Sequence, residues 1–544
     1  MMSNAIYQIM RPQNEPVLSF LPGSDEKKSL KRRIAEMKAS AIEIPLIING
    51  KEIRTGRTGT CIIPHNKSHV LATCHMAGPR ETEIAIRAAL EAGKKWEATP
   101  WDHRLAVFLR AAELISGPWR DTLNAATMLG QSKTVYEADA DAACELADFF
   151  RFNSYFVRQI MEEQPQSVPG VLNRMEYRPL EGFVFAVTPF NFTAIGGNLP
   201  SSPAMAGNTV IWKPSSTAIY SNYYVMKLLT EAGLPDGVIN FVPGAGSEVG
   251  PVVMGHPMLA GIHFTGSTAT FNTMWRTVAQ NLENYRNYPR IVGETGGKDF
   301  LFAHVSADTD ALIHAIISGS FSYQGQKCSA TSRVYIPESI WPDVKKGLLR
   351  EMADLKTGDV EDFTNYMGAV IDQAAFDSVR SYIDFARASP EADIIAGGGC
   401  SDETGFFIEP TVIVTTDPHF KTMQEEIFGP VVTVYIYKDD ACEKALELCE
   451  STSGYALTGA IFARDRIAIA KIEKRLTYSA GNLYINDKTT GAFVGLQPFG
   501  GSRASGTNEK AGSKHNLSRW MSPRTIKENF SPSKNYRLGL MQES

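Results

Sequence analysis

The sequence lacks the patterns that mark several classes of protein. Seven of its 544 residues are cysteine; they are scattered and odd in number, and no two form a CxxC pair. This argues against a disulfide framework and a cysteine-rich zinc site, and it is typical of a reducing compartment. The ten histidines show no HExxH or comparable ligand spacing, so no metal is expected.

Long apolar runs and an excess of positive charge are also absent. No stretch approaches the roughly 18 apolar residues that a membrane span needs, and residues 1–14 carry no signal-peptide core. The formal net charge of −5 gives no general field for nucleic acid, and the basic run Lys27–Arg33 is expected to be a solvated helix face. We expect a cytoplasmic bacterial protein, with the mitochondrial matrix as the alternative, and no membrane or nucleic-acid partner.

The chain is long enough for two or three domains with real cores, and 43% of its residues are hydrophobic. The first forty residues are polar and mixed, which predicts a surface arm. Ile44–Thr60 predicts a hairpin with Asn49-Gly50 as its turn. Helical periodicity follows, and Glu137–Glu163 predicts one long helix whose aromatic side chains pack in the core.

From Gly182 onward, short β-rich runs alternate with helices. This alternation predicts βαβ units and parallel sheets with helices on both faces. One block runs to about Leu282 and a second from Ile291 to about Ile485, so two α/β domains are predicted. Such sheets bind ligands beyond the carboxyl ends of their strands, where loops carry the functional residues.

One cysteine lies in an unusual setting, the segment Phe321–Ser332 with the sequence FSYQGQKCSATS. A buried structural cysteine normally has apolar neighbours, whereas Cys328 stands among small and polar residues. It is therefore a candidate nucleophile in a loop that a ligand can reach. The alternative is an inert thiol, which most single cysteines are.

Two other loops, each after a buried strand, carry candidate catalytic side chains. In TPFNF, proline and aromatic neighbours hold Asn191 rigid, which suits an amide donor to a developing oxyanion; the alternative is that it caps its own turn. In GETGGK, glycines flank Glu294, so it can be approached closely and suits a base that activates water. The alternative for Glu294 is an ordinary loop carboxylate.

Several turns suit a dinucleotide. Gly244–Gly250 (GAGSEVG) follows a strand and opens a helix, as in the Rossmann fingerprint, but its spacing is GxGxxxG. The turn Gly266-Ser267 is a rival, because glycine lets backbone approach phosphate and a helix N-terminus favours negative charge. Lys213 in WKPSS suits a ribose hydroxyl or a phosphate, unless it is a surface lysine. Candidates for contacts with a ribose and a nicotinamide ring are Glu426 and Phe428.

Jointly, these motifs resemble those of the NAD(P)-dependent aldehyde dehydrogenase superfamily from about Ile44 to Ile526. They occur in the expected order as TPFNFTA, WKPSS, FTGS, ETGGK, GQKCSA, EEIFGP and QPFGG. Longer stretches, among them YINDKTTGAFVGLQPFGGSRASGTN and SRWMSPRTIKE, resemble the branch that oxidises L-glutamate γ-semialdehyde, formed from Δ1-pyrroline-5-carboxylate, to glutamate in proline breakdown. At this length, without a flavin-barrel region, the resemblance implies a stand-alone enzyme.

The resemblance implies an α/β fold: a Rossmann-like dinucleotide-binding domain, a second α/β catalytic domain and a small β oligomerisation flap. The NAD-binding domain with its N-terminal arm is assigned to 1–163 and 179–293, and the catalytic domain to 294–505. The flap and C-terminal tail are assigned to 164–178 and 506–544. A homodimer or higher homo-oligomer is expected, and a transient contact with proline dehydrogenase is an option.

The resemblance also assigns roles to individual residues. Cys328 is the nucleophile, the Asn191 amide and the Cys328 backbone N–H hold the oxyanion, and Glu294 activates the water that hydrolyses a thioester. The expected cofactor is NAD. Its implied contacts are Thr188, Lys213, Ser216, Gly266, Ser267, Glu426 and Phe428. The implied substrate contacts are Ser329, Gly491, Ala492 and Phe499.

Two positions depart from the family pattern. Ala492 stands where some relatives have serine, so backbone groups must hold the substrate's α-carboxylate. Ser216 stands where many members have an acid that would repel a 2′-phosphate, so we expect a preference for NAD without strict selectivity.

Three other functions remain open on the sequence. The first keeps the fold and changes the substrate to another semialdehyde, such as succinate semialdehyde, although the glycine loop argues for an α-carboxylate. A cysteine hydrolase or acyltransferase would need a histidine beside the thiol. The third alternative is a non-catalytic protein that kept the fold.

Overall fold

The computed structural model describes residues 8–541, in which two seven-stranded sheets are each covered by helices. In the first sheet the first five strands run parallel and the last two form an antiparallel edge. Its spatial order is Arg290–Glu294, Leu259–Thr265, Phe183–Val187, Thr209–Lys213, Ile239–Phe241, Leu46–Ile48 and Lys51–Ile53.

The second sheet is also parallel, except for an antiparallel edge strand. Its interior strand Asp299–Ala303 is buried along its whole length, as expected where helices cover both faces. The spatial order is Ala392–Ala396, Thr411–Thr415, Val431–Tyr437, Thr331–Pro337, Asp299–Ala303, Thr458–Phe462 and Asn482–Ile485. The two predicted α/β blocks therefore correspond to two sheets, but their predicted boundary is wrong by one strand. Arg290–Glu294, expected at the start of the second block, is the edge strand of the first sheet.

Helices surround these sheets. Those before and around the first sheet are Asp25–Lys38, Pro79–Ala98, Trp101–Ser116, Arg120–Gln131, Val135–Ala138, Glu145–Glu162, Thr193–Met205, Ile219–Glu231, Gly246–Met254 and Thr268–Gln280. Those of the second half are Thr309–Phe321, Trp341–Ala353, Gln373–Ala388, Lys421–Gln424, Cys442–Ser451, Arg466–Arg475 and Lys514–Ser518. Within residues 8–541, none of the helices is both long and apolar enough to cross a membrane.

The predicted Asn49-Gly50 hairpin is confirmed. Ile48 pairs with Lys51, which leaves a two-residue turn. Both turn residues have positive φ, 51° and 70°, the combination that matches the twist of an antiparallel pair.

The prediction of a surface arm is wrong for the helix Asp25–Lys38; residues 1–7 of that segment lie outside the described residues. Leu30, Ile34 and Met37 are buried at helical spacing, while Lys31 and Arg32 are exposed. The Ser24 side chain accepts from the Lys27 N–H and caps the helix start. The basic residues between the apolar positions made this segment look wholly polar.

The predicted helix Glu137–Glu163 is interrupted by a π-helical turn, Asp139–Cys144. An ordinary helix, Glu145–Glu162, continues beyond it. Phe149, Phe150 and Phe152 are buried there, so the prediction that its aromatic residues pack in the core is confirmed.

The two segments left over by the sheets pair with each other. Val171–Pro179 and Met521–Asn529 form an antiparallel ribbon in continuous register, as the sequence predicted. Before this ribbon, the tail packs into the first core through Leu517 and Trp520, which are fully buried.

Candidate active site

The predicted cofactor turns meet at one edge of the first sheet. Thr188 follows the strand Phe183–Val187, Lys213 ends the neighbouring strand, and Gly266 follows the strand on the other side. These three strands are adjacent and parallel, so their carboxyl ends face the same way. This is the edge at which sheets of this type bind ligands.

The loop that carries Cys328 is held by neighbouring polar groups. It follows a 3₁₀ turn, Ser322–Gly325, in which Tyr323 and Gln324 have positive φ of 50° and 55°. The Gln324 amide donates to the Ala369 carbonyl and its oxygen accepts from the Gly368 N–H. Such strained backbone persists only where its surroundings fix it, so this loop has a defined shape.

Three side chains from distant segments converge here. The Cys328 Sγ lies 4.0 Å from Glu294 Oε1, and Glu294 ends the edge strand of the first sheet. The Asn191 amide donates to the Gln326 carbonyl at 3.0 Å, two residues before the thiol. The predicted nucleophile, base and amide donor are therefore brought together.

Burial governs the charge of these groups. It raises the pKa of Glu294 to about 7, against an opposing effect of Lys510. Burial, with the Glu294 carboxyl beside it, holds the pKa of the Cys328 thiol well above its ordinary value. At neutral pH the thiol is protonated and Glu294 is divided between its two forms, so attack requires the thiol to lose its proton after a ligand binds.

Cys328 and Glu294 open onto a cavity of 190 Å³. The walls combine aromatic side chains such as Phe149 and Phe192 with a few polar groups, which is typical of a small-molecule site. The four predicted substrate contacts also line it: Ser329, Gly491, Ala492 and Phe499. Gly491 has a φ of 98°, a conformation that other residues rarely adopt.

The predicted cofactor contacts lie outside that cavity. Lys213 is buried, its ammonium donates to the Pro214 carbonyl at 3.1 Å, and burial lowers its pKa to about 8. Within the described residues it has no carboxylate partner. A Cβ on Gly246, at the start of a helix, would first meet Lys213 Cε at 3.9 Å, so the lysine lies beside a helix N-terminus. A buried cation at such a place fits a phosphate or a ribose.

The turn Gly266-Ser267, the alternative phosphate site, is hydrogen-bonded to the backbone of Glu294. The Gly266 N–H donates to the Glu294 carbonyl at 3.2 Å, and Ser267 caps the helix Thr268–Gln280. Gly244 begins the other candidate motif, Gly244–Gly250. It is tightly enclosed, because a Cβ there would lie 3.0 Å from the Ala77 carbonyl oxygen. Gly244 therefore serves close packing.

The remaining predicted cofactor contacts have different surroundings. Ser216 is exposed on a 3₁₀ turn, whereas Thr188 is buried and accepts from the Trp212 indole N–H at 3.0 Å. Glu426 accepts from the Gly297 N–H at 2.9 Å, and burial raises its pKa to about 7. Phe428, in a left-handed conformation, packs edge-on against Phe190.

The sequence reasoning missed a buried charge cluster beside the nucleophile. Asp141, in the π turn, contacts the ammonium groups of Lys133 and Lys327 at 2.7 and 3.1 Å. Lys488 and Glu145, both on the cavity wall, were missed as well. Lys488 directly precedes the TTGAFVG segment and was visible there, whereas nothing in the sequence marked the π turn.

Comparison with known proteins adds independent information. The aldehyde dehydrogenase family profile matches residues 53–526. "Delta-1-pyrroline-5-carboxylate dehydrogenase, mitochondrial" of Dictyostelium discoideum is 51% identical over 527 residues, 96% of this chain and 94% of that protein. The crystal structure of the Delta-pyrroline-5-carboxylate dehydrogenase from Mycobacterium tuberculosis bound with NAD superposes with a TM-score of 0.96 at 49% identity, covering 99% of this chain and 100% of that one.

A longer protein is similar too. Proline utilization A from Bdellovibrio bacteriovorus superposes with a TM-score of 0.91 at 31% identity, over 96% of this chain but 54% of its own. The profile spans most of the sequence, and the relatives match over nearly its whole length. The chain therefore belongs to the aldehyde dehydrogenase family.

Proposed function

We propose that this protein oxidises L-glutamate γ-semialdehyde to L-glutamate with NAD as the oxidant, in proline breakdown. The observation that carries the proposal is the placement of a thiol and a carboxyl 4.0 Å apart on the wall of one cavity, with an amide donor at the thiol's loop. Relatives 46% to 51% identical over nearly the whole chain bear the name of this dehydrogenase.

The chemistry assigned to the chain's own residues is covalent catalysis. Cys328 gives up its proton to solvent and its sulfur bonds to the aldehyde carbon. The electron pair of the C=O π bond moves to the oxygen, which becomes an alkoxide. The Asn191 amide and the Cys328 backbone N–H hold that oxyanion. Loss of hydride then leaves a thioester on Cys328, so that one difficult oxidation is divided into two easier steps.

Hydrolysis completes the cycle. Glu294 takes a proton from water, the resulting hydroxide attacks the thioester carbon, and the C–S bond breaks to release the acid and restore the thiol. The balance is one aldehyde and one water consumed, with one carboxylic acid formed, one hydride transferred and protons released. When bound, NAD supplies the nicotinamide that accepts the hydride.

The cofactor is assigned to the carboxyl edge of the first sheet. Lys213 and the helix starts at Gly246 and Ser267 offer positive charge and N–H groups for ribose and phosphate, and Glu426 offers a carboxylate for ribose hydroxyls. The full set proposed is Thr188, Lys213, Ser216, Gly266, Ser267, Glu426 and Phe428. The exposed Ser216 carries no charge to repel a 2′-phosphate, so NAD is preferred without being strictly required.

The substrate is assigned to the cavity. Phe499 covers the aliphatic part, and Ser329 with the backbone at Gly491 and Ala492 receives the α-carboxylate. Successive backbone N–H groups at a glycine form a concave anion site. Ala492 contributes to such a site through its backbone, so no side-chain hydroxyl is needed.

The architecture supports different roles for different segments of the chain. We assign NAD binding to 1–163 and 179–293, catalysis to 294–505, and oligomerisation to 164–178 with 506–544. The ribbon Val171–Pro179 with Met521–Asn529 suits a contact between subunits of a homodimer or larger assembly. A cytoplasmic setting is proposed, and the likeness to proline utilization A supports a transient contact with proline dehydrogenase.

The deciding experiment is an NADH-formation assay with Δ1-pyrroline-5-carboxylate beside a panel of simple aldehydes and succinate semialdehyde. We expect the highest kcat/KM for the first substrate. Cys328→Ala should abolish turnover while NAD still binds. Equal rates across the panel would refute the substrate assignment, and NADH formation by Cys328→Ala would refute the mechanism.

A further inference from the structure

Three lysines line the cavity: Lys327, Lys488 and Lys510. A substrate that carries a carboxylate at one end and an aldehyde at the other can bind in two directions. The direction is set by which of the three ammonium groups is available to the carboxylate. An ammonium group that is already hydrogen-bonded or ion-paired attracts a carboxylate less strongly.

Two of the three ammonium groups already have hydrogen-bond or ion-pair partners. An ammonium has three N–H donors, and those of Lys510 are used by the carbonyls of Gly481 at 2.7 Å and Gly500 at 2.9 Å and by Asn482 Oδ1 at 3.2 Å. Lys327, next to the nucleophile, contacts Asp141 at 3.1 Å. Asp141 also pairs with Lys133 at 2.7 Å, and Glu137 acts on both lysines. Two carboxylates therefore offset two ammonium groups at the end of the cavity where the aldehyde must lie.

Lys488 is in a different situation. It is half-buried on the cavity wall, and among residues 8–541 its ammonium forms no ion pair. It also lies against the glycine loop, since a Cβ on Gly491 would come within 3.4 Å of Lys488 Cε. The following residue fixes the loop: the Thr489 hydroxyl donates to the Ser329 carbonyl at 2.6 Å, which ties Lys488 to the segment that carries Cys328.

We infer that Lys488 is a specificity-determining residue, whose ammonium pairs with the carboxylate of an aldehyde acid bound at Gly491. The inference rests on the proposed function and deepens it. The glycine loop offers backbone N–H groups, and Lys488 adds a full positive charge that favours carboxylate-bearing aldehydes over uncharged ones. By offsetting the charge of Lys327, Asp141 and Glu137 weaken the competing site beside the thiol.

The test compares two substrates of equal chain length, succinate semialdehyde and butanal, which differ in the terminal carboxylate. In Lys488→Met, the ratio of their kcat/KM values should fall roughly 10- to 100-fold, the usual effect of losing a hydrogen bond to a charged group. The loss should appear as a higher KM for succinate semialdehyde. Lys488→Arg, which keeps the charge, should retain most of the ratio.

The matched control is Lys444→Met, an exposed lysine on the helix Cys442–Ser451, which should leave the ratio as in the wild type. A ratio within twofold of wild type in Lys488→Met would overturn the inference, as would an equal loss on both substrates. Because the ratio does not involve glutamate γ-semialdehyde, its outcome is separate from the wild-type substrate panel that tests the proposed function.

Discussion

At the scale of single residues, the Glu294 carboxyl lies beside a thiol whose ionisation it opposes. Negative charge at Glu294 raises the pKa of Cys328, on top of the effect of burial. A protonated thiol is a poor nucleophile and is also slow to oxidise. The resting site is therefore protected, and its reactivity depends on what binds beside it.

Replacing Glu294 with Gln tests its two effects together. Without the negative charge, the pKa of Cys328 should fall, and alkylation of Cys328 at pH 8 should be faster than in the wild type. Turnover should stop after one burst of NADH per active site, because the thioester has no base to activate water. Rapid-quench and iodoacetamide kinetics measure both, and a variant that forms NADH slowly from the start would give Glu294 a different role.

The pH dependence of hydrolysis follows from the same carboxyl. Glu294 must be deprotonated to accept a proton from water, and burial raises its pKa to about 7. The rate of thioester hydrolysis should therefore fall tenfold per pH unit below about 7 and level off above it. Single-turnover measurements between pH 5 and 9 give the profile, and a limb near the ordinary glutamate value would contradict the assignment.

Asn191 is tested by truncation. Asn191→Ala should lower kcat by roughly 10²–10³, as loss of one oxyanion donor does in other enzymes. Little change would leave the amide with the structural role that its hydrogen bond to the Gln326 carbonyl also supports. The rate of Cys328 alkylation in the absence of substrate distinguishes the two causes. It should change if the loop of Cys328 is displaced, and it should stay the same if only the oxyanion donor is lost.

At the scale of elements, the π turn Asp139–Cys144 directs acidic residues into different parts of the molecule. Asp139 pairs with Arg120 at 2.8 Å, while Asp141 faces the two lysines near the nucleophile. Single π turns inside helices occur frequently at functional sites. Here the turn connects a helix of the first core with the loop of Cys328.

Removing the Asp141 charge should be costly. Asp141→Asn leaves two buried ammonium groups without the carboxylate that contacts both of them, and breaking such a cluster typically destabilises by about 3–5 kcal/mol. Lys133→Met is the matched comparison, because it leaves one lysine with one carboxylate and should cost less. Differential scanning calorimetry measures both, and equal melting temperatures in the two variants would count against the charge argument.

The elements show where sequence reasoning succeeds. The Asn49-Gly50 turn was located because turn chemistry acts locally. Cys328, Asn191 and Glu294 were found because each lies in a loop with an unusual composition. The helix Asp25–Lys38 and the π turn were missed, since the packing that stabilises them comes from residues far along the chain. For the same reason, the contact of Asp141 with Lys133 and Lys327 could not be predicted from the sequence.

At the scale of the whole molecule, the ribbon formed by Val171–Pro179 and Met521–Asn529 lies apart from both sheets. Truncation after Trp520 removes its second strand while keeping the buried tryptophan. If the ribbon joins subunits, the truncated protein should be a monomer, whereas the full chain should have a multiple of 59.7 kDa. Light scattering after size exclusion measures both masses, and an unchanged assembly would assign oligomerisation to another surface.

The burial of Trp520 has a consequence for biosynthesis. Its backbone carbonyl accepts from the Asn208 amide at 2.8 Å, and its ring lies against His263 in a core that also contains Leu30. The first core therefore cannot close until Trp520 has left the ribosome, roughly 25 s or more after Leu30 does. During that interval its apolar surface is exposed, and nascent chains stalled before Trp520 should be the ones that chaperones retain.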